Sequence, residues 1–198
     1  MNFISPTTIC ISGCTGSGKT TWLRRLLDEK LFYNLPNRII YFYGVWQNAF
    51  DSMTDVEFHE GLPVSFDDFV DGNHNVLIFD DLQEDITKSK AAEHLFTRGS
   101  HHKNLTIVFV NQNIFYQGKH ARTIALNTHY TILFRNPRAT SQIRTLASQT
   151  GLQHLKEAYE DATKEKYGYL VVDLCPHSDD DYRLRTHIFN NEDPIIYH

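Results

Sequence analysis

Apolar residues along this chain fall into short dense runs separated by polar turns, and the runs are of two kinds. Thr8-Ile9-Cys10-Ile11, Arg38-Ile39-Ile40-Tyr41-Phe42-Tyr43, Asn75-Val76-Leu77-Ile78-Phe79, Leu105-Thr106-Ile107-Val108-Phe109-Val110 and Thr131-Ile132-Leu133-Phe134 are rich in β-branched and aromatic side chains and hardly alternate. That is the pattern of strands buried on both faces. Between them apolar residues recur at helical spacing: Trp22, Leu23, Leu26 and Leu27 within residues 20–30, and Ala91, Ala92, Leu95 and Phe96 within residues 86–97. Further helical stretches at 141–149 and 152–166 are separated by Gly151, a helix stop. Residues 65–70 read as a short amphipathic piece capped by Ser65, and residues 45–59 show no clear period. Strands alternating with helices predict an α/β fold with a mainly parallel central sheet flanked by helices. Near the end, strand-like residues 169–174 and 182–188 flank the turn cluster 175–181 and predict a C-terminal antiparallel hairpin extending the sheet.

At the first strand-to-helix turn lies Gly13-Cys14-Thr15-Gly16-Ser17-Gly18-Lys19-Thr20-Thr21. It fits the spacing Gly, four residues, Gly, Lys, Ser/Thr of a phosphate-binding loop. Glycines there let successive N–H groups approach phosphate oxygens, and the following helix presents its positive end. Lys19 is placed to reach the β/γ-phosphates and the Thr20 hydroxyl to ligate Mg²⁺. The run from Asn75 to Phe79 ends in two carboxylates, Asp80 and Asp81. A buried parallel strand would deliver Asp80 beside the phosphate loop to hold the Mg²⁺ shell, with Asp81 polarising an attacking water. The Leu105 run ends in the amides Asn111-Gln112-Asn113, suited to sensing a γ-phosphate.

Composition narrows the setting. The 198 residues suffice for one domain with a full sheet, and residues 1–198 read as one. No stretch approaches the roughly 20 apolar residues of a membrane span, and the first residues lack the basic and apolar regions of a signal peptide. An intracellular, soluble protein is expected. The odd count of three cysteines, Cys10, Cys14 and Cys175, argues against a disulfide framework, and His101-His102 has no further metal ligand at suitable spacing. A net charge of -5 means that any nucleic-acid contact must be local, as Lys119, His120 and Arg122 in a polar loop would permit.

With these motifs the chain resembles the FtsK-HerA superfamily of P-loop ATPases, and most closely the genome-packaging ATPases of eukaryotic DNA viruses and Maverick/Polinton elements. The resemblance rests on Gly13 to Thr20, on Asn75 to Leu82, on residues 95–112, on residues 127–144 and on the terminal hairpin. It implies an ASCE-type P-loop NTPase fold, whose five strands, numbered along the chain, lie in the order 5-1-4-3-2. It also implies ATP and Mg²⁺ as cofactors, with Lys19, Asp81, Gln112 and an arginine finger as catalytic residues and Thr20 and Asp80 as metal ligands. The finger would act between subunits of a homo-oligomeric ring, a pentamer or hexamer; Arg98 is preferred over Arg135, Arg138 and Arg144. Members usually carry glutamate where this chain has Asp81, one methylene shorter.

The resemblance further implies double-stranded DNA and viral capsid or portal proteins as partners, no membrane, and a place in the host nucleus, at cytoplasmic assembly sites or in the virion. The function expected is Mg-dependent ATP hydrolysis that drives double-stranded DNA into a capsid. Two alternatives stand beside it: a nucleotide-gated assembly or DNA-binding subunit with little hydrolysis, which the short Asp81 motivates, and a small nucleotide kinase, which the Asp80-Asp81 pair and the Gln112 strand tip disfavour.

Overall fold

The computed structural model describes residues 2–99, 103–115 and 117–198, with the backbone alone at 98 and 99. Among these, nine strands join into one sheet: β1 (Thr8–Ser12), β2 (Arg38–Tyr43), β3 (Glu57–Glu60), β4 (Asn75–Asp80), β5 (Leu105–Asn111), β6 (Tyr130–Phe134), β7 (Tyr169–Asp173), β8 (Leu184–Thr186) and β9 (Ile195–Tyr197). Their spatial order is β3-β2-β4-β5-β1-β6-β7-β8-β9. The first six pair in parallel, and β7 to β9 continue the sheet antiparallel from β6. Every residue of β1, β4, β5 and β6 is buried, which is why their sequences do not alternate.

The expected five-strand order is present as β6-β1-β5-β4-β2, extended by β3 beyond β2 and by the expected hairpin and β9 beyond β6. Strand β3 escapes sequence reading because Glu57, His59 and Glu60 give it no apolar face. It lies beside β2, where Arg38 donates to both oxygens of Glu57, Nε at 2.9 Å and Nη2 at 2.8 Å. Such charge suits an edge strand, since it discourages pairing with other chains. Strand β9 covers β8, so the hairpin does not form the edge. The second hairpin strand is confined to Leu184–Thr186, after a 3₁₀ turn at Asp180–Tyr182.

Helix α1 (Lys19–Asp28) buries Trp22, Leu23, Leu26 and Leu27 against Ile9, Ile11, Ile78, Val108, Val110 and Ile132 on one sheet face. On the other face Leu77, Phe79, Ile107 and Phe109 pack under α2 (Gln83–Lys88), α3 (Lys90–His94) and α4 (Ala121–Leu126) through Ile86, Ala92 and Ile124. Helices α5 (Thr140–Thr150) and α6 (Leu155–Ala162) cover β6, β7 and β8 through Ile143, Leu146, Leu155 and Tyr159.

The single helix expected over residues 86–97 is divided. Ser89 adopts an extended conformation and caps α3, its Oγ accepting from Ala92 N at 3.2 Å, and α3 loosens into a π-helical turn at Leu95–Gly99. A serine that can bond the backbone locally competes with helix continuation. Residues 152–166 form a helix only over Leu155–Ala162. The short piece expected over 65–70 is a 3₁₀ turn at Asp67–Phe69 whose N-cap is Phe66 and not Ser65; Ser65, one position before the cap, accepts at Oγ from Asp67 N.

Candidate functional site

The phosphate loop leaves β1 after Ser12 and closes on α1. Gly18 precedes the helix at φ 105°, a conformation that side chains rarely adopt, so glycine is required there. Lys19 folds back over the loop, Nζ donating to Gly13 O at 2.6 Å and Cys14 O at 3.0 Å. Of the ammonium's three donors, one remains to meet a phosphate oxygen. Ser17 Oγ is buried in the same loop without a hydrogen-bond partner, a polar atom that an anion in the loop would satisfy. Burial lowers the Lys19 ammonium below its ordinary pKa, while the charges of Asp80, Cys14 and Asp81 pull it back up.

Asp80 ends β4 and pairs in register with Tyr43 on β2 and Val110 on β5. Its Oδ2 accepts from Tyr41 OH at 2.7 Å and from Gln47 Nε2 at 3.2 Å. Gln47 in turn accepts at Oε1 from Thr20 Oγ1 at 3.2 Å. The two oxygens expected to hold Mg²⁺, one on α1 and one on β4, are thus joined through one amide side chain. Burial raises the Asp80 carboxyl above its ordinary value, against the opposing effects of Tyr41 and Lys19. Burial likewise raises the Tyr41 phenol, with Asp80 adding to it. A carboxylate, a hydroxyl and an amide are hard oxygen donors of the type Mg²⁺ prefers, and few of them suffice when phosphates complete the shell. The residues therefore fit the ion.

Asp81 follows in a left-handed backbone conformation, φ 58°, and is exposed. Its carbonyl packs on Gly44, where a Cβ would come within 2.6 Å of Asp81 O. A glycine after β2 is therefore a condition for the kink that presents Asp81. The Asp81 charge acts on both Lys19 and Asp80. At the tip of β5, Gln112 is exposed and its carbonyl accepts from Asn136 Nδ2 at 3.2 Å. Asn111 before it is buried on the opposite side of the strand, its Nδ2 3.5 Å from Cys10 Sγ.

The structure thus brings together Lys19, Thr20, Asp80 and Asp81 and leaves Gln112 at the neighbouring strand tip. Tyr41 and Gln47 join the site without having been singled out by sequence. The Arg98 side chain and His101-His102 lie outside the described residues. Arg135, Arg138 and Arg144 are exposed, Arg135 donating weakly to Lys164 O at 3.4 Å. In the loop expected to meet DNA, Lys119 and Arg122 are exposed, but His120 is buried, its Nδ1 2.7 Å from Glu93 Oε2 and its backbone N–H on Thr87 O. It pins α4 to α3 and does not face solvent.

Comparison with known proteins starts from the family model for the viral superfamily 1 RNA helicase core domain, which matches residues 9–168. The chain belongs to that family. No curated protein sequence matches the chain. Solved structures do: the DNA-packaging ATPase B204 of Sulfolobus turreted icosahedral virus is similar over 100% of this chain and 98% of its own, at TM-score 0.57 and 15% identity. The genome packaging NTPase B204 of Sulfolobus turreted icosahedral virus 2 is similar both with ATP-gammaS (TM-score 0.54, 14% identity, 97% of this chain and 96% of that one) and with AMP (0.51, 15%, 88% and 94%). At these identities the likeness establishes a shared P-loop NTPase fold. The expected resemblance to viral packaging ATPases is met at that level. Among the described residues no helix is long and apolar enough to cross a membrane.

Proposed function

We propose that this chain is the ATPase subunit of a viral genome-packaging motor, residues 1–198 forming one ATPase domain that hydrolyses ATP with Mg²⁺ and drives double-stranded DNA into a capsid. The observation that carries this reading is the Lys19–Thr20–Gln47–Asp80 array, set on a fold that matches a DNA-packaging ATPase from end to end. Residues 13–21 hold the phosphates, and Thr20 and Asp80 hold the metal. Bound there, Mg²⁺ would neutralise charge developing on the phosphate oxygens. Lys19 donates to the same oxygens; Asp81 orients and polarises water at the γ-phosphate; Gln112 reports the γ-phosphate to β5. Arg98 of a neighbouring subunit in a pentameric or hexameric ring completes the charge. Capsid or portal proteins are the docking partners, and virus assembly sites or the virion the place of action.

A second reading, translocation on RNA, is favoured by the description of the matching family model. Steady-state ATP hydrolysis with long double-stranded DNA, with single-stranded RNA and with neither separates the two. Stimulation by the duplex in an oligomeric ring is the expected result. Stimulation by RNA alone supports the second reading, and an active monomer indifferent to both polymers overturns both.

A further inference from the structure

Beside the phosphate loop, on the side away from Asp80, a cavity of about 390 Å³ opens against Gly18 and Thr21. Its walls include Tyr167, Phe134 and Phe189. Tyr167 holds a left-handed backbone conformation, φ 66°, and its ring edge lies so near the loop that a Cβ on Gly18 would sit 3.2 Å from Tyr167 Cδ1. Yet the tyrosine is 56% exposed, and Lys166 Nζ stands 4.8 Å from its ring centroid. A large ring pinned at the mouth of a pocket and left half in water offers apolar area to whatever enters.

Direction along the loop decides what that is. Lys19 reaches the β/γ-phosphates and Thr20 and Asp80 would hold the metal there, so these residues mark the γ end, and the α-phosphate and nucleoside leave past Gly18 and Thr21. We propose that this cavity receives the base of the nucleotide and that Tyr167 is the ring on which the base stacks. The inference rests on the phosphate loop holding a nucleoside triphosphate, as proposed above.

The two charged groups of the cavity, Arg25 and Glu192, are already engaged with one another. Arg25 donates to Glu29 at 2.5 Å, to Glu192 and to Asn190 O at 3.0 Å, and its guanidinium lies 4.2 Å from the Phe189 centroid. Glu192 also accepts from Tyr169 OH at 3.2 Å and Phe189 N at 3.3 Å. With both charges so committed and the Trp22 Nε1 atom buried, the cavity offers a base chiefly the flat face of Tyr167. Stacking of this kind accepts any base and takes ATP and GTP alike.

Equilibrium binding of ATP, GTP and inorganic tripolyphosphate, each with Mg²⁺, to the parent protein, Tyr167→Ala, Tyr167→Phe and Lys19→Ala tests this. Tyr167→Ala should weaken ATP and GTP about tenfold or more, the effect of losing one base–aromatic stack, and leave tripolyphosphate unchanged. Tyr167→Phe, which keeps the ring, should bind all three like the parent, and Lys19→Ala should weaken all three. Unchanged ATP binding by Tyr167→Ala, or an equal loss of tripolyphosphate, overturns the base site while leaving the phosphate loop intact. A strong preference for ATP over GTP overturns recognition by stacking alone. A parent protein that binds neither ATP nor tripolyphosphate overturns the nucleotide reading and this inference with it.

Discussion

On one flank of the phosphate loop a chain of hydrogen bonds runs from Thr20 through Gln47 to Asp80 and Tyr41; on the other, Gly18 and Thr21 border a pocket walled by aromatic rings. The first flank is buried and polar. Tyr41 is fully covered, and the Asp80 carboxylate is buried at the end of a strand with Oδ2 held by two donors. Such a network fixes oxygen positions to within the tolerance of a hydrogen bond, as a small cation requires. The second flank is open and apolar, with Tyr167 left largely uncovered, and contact area rather than direction counts there. One loop therefore joins a site that demands geometry to a site that demands only shape.

Removing what stands between the flanks should have the largest effect. Lys19→Ala is expected to lower steady-state ATP turnover by about 10²-fold or more, the usual loss when one preorganised donor to developing charge is deleted. Turnover close to that of the parent would show that the loop is not the reaction centre. Gln47→Ala sharpens the contrast, since it touches the polar flank alone. Outer partners of metal ligands typically contribute about 10- to 100-fold, so the Mg²⁺ concentration for half-maximal activity should rise within that range while Mg-free nucleotide affinity stays as it was. An equal fall in Mg-free affinity would break the distinction between flanks.

A smaller effect is expected at Gly44. A Cβ there meets the Asp81 carbonyl at 2.6 Å, and overpacking of this sort costs about 1–3 kcal/mol. Gly44→Ala should therefore lower the denaturant midpoint and reduce turnover more than nucleotide binding, because Asp81 is displaced and the loop is not. The smallest effect is a count of thiols. Burial pushes Cys10 up to about 12 and Cys175 up to about 11, so at neutral pH both stay protonated and unreactive. Half-exposed Cys14 should be the one thiol alkylated, and ATP should slow its labelling. Reaction of two or three thiols in the folded protein would contradict the packing of β1 and of the β7–β8 turn.

Sequence reading found the loop because Gly18, Lys19 and Thr20 must be adjacent to do their work, and Asp80 because a buried strand ending in carboxylates gains meaning once a phosphate loop precedes it. It missed Gln47 and Tyr41 for physical reasons. Gln47 lies in a segment without period and reaches Asp80 across 33 positions, while Tyr41 in a strand is indistinguishable from any aromatic that favours a pleated surface. Tyr167 was invisible for the same reason, since only the meeting of the turn before β7 with the start of α1 gives it meaning. Strand β3 was lost to its charges and the break at Ser89 to a continuous apolar period. The basic loop shows the opposite error: composition made His120 look available, and packing against Glu93 removed it from solvent.

Helix α1 begins with residue 19, yet its surroundings are drawn from residues made far apart in time. Trp22 packs edge-on against Phe3 at 6.2 Å and Phe189 at 5.4 Å, and Arg25 meets Glu192, 167 positions later. On a ribosome the whole phosphate loop would emerge early and wait while more than a hundred and fifty residues were added before its helix was enclosed. Contacts of such separation are slow to form, because a long loop must close before they reward it. The nascent chain therefore completes the enclosure of this helix only late in synthesis, long after its phosphate loop has been made.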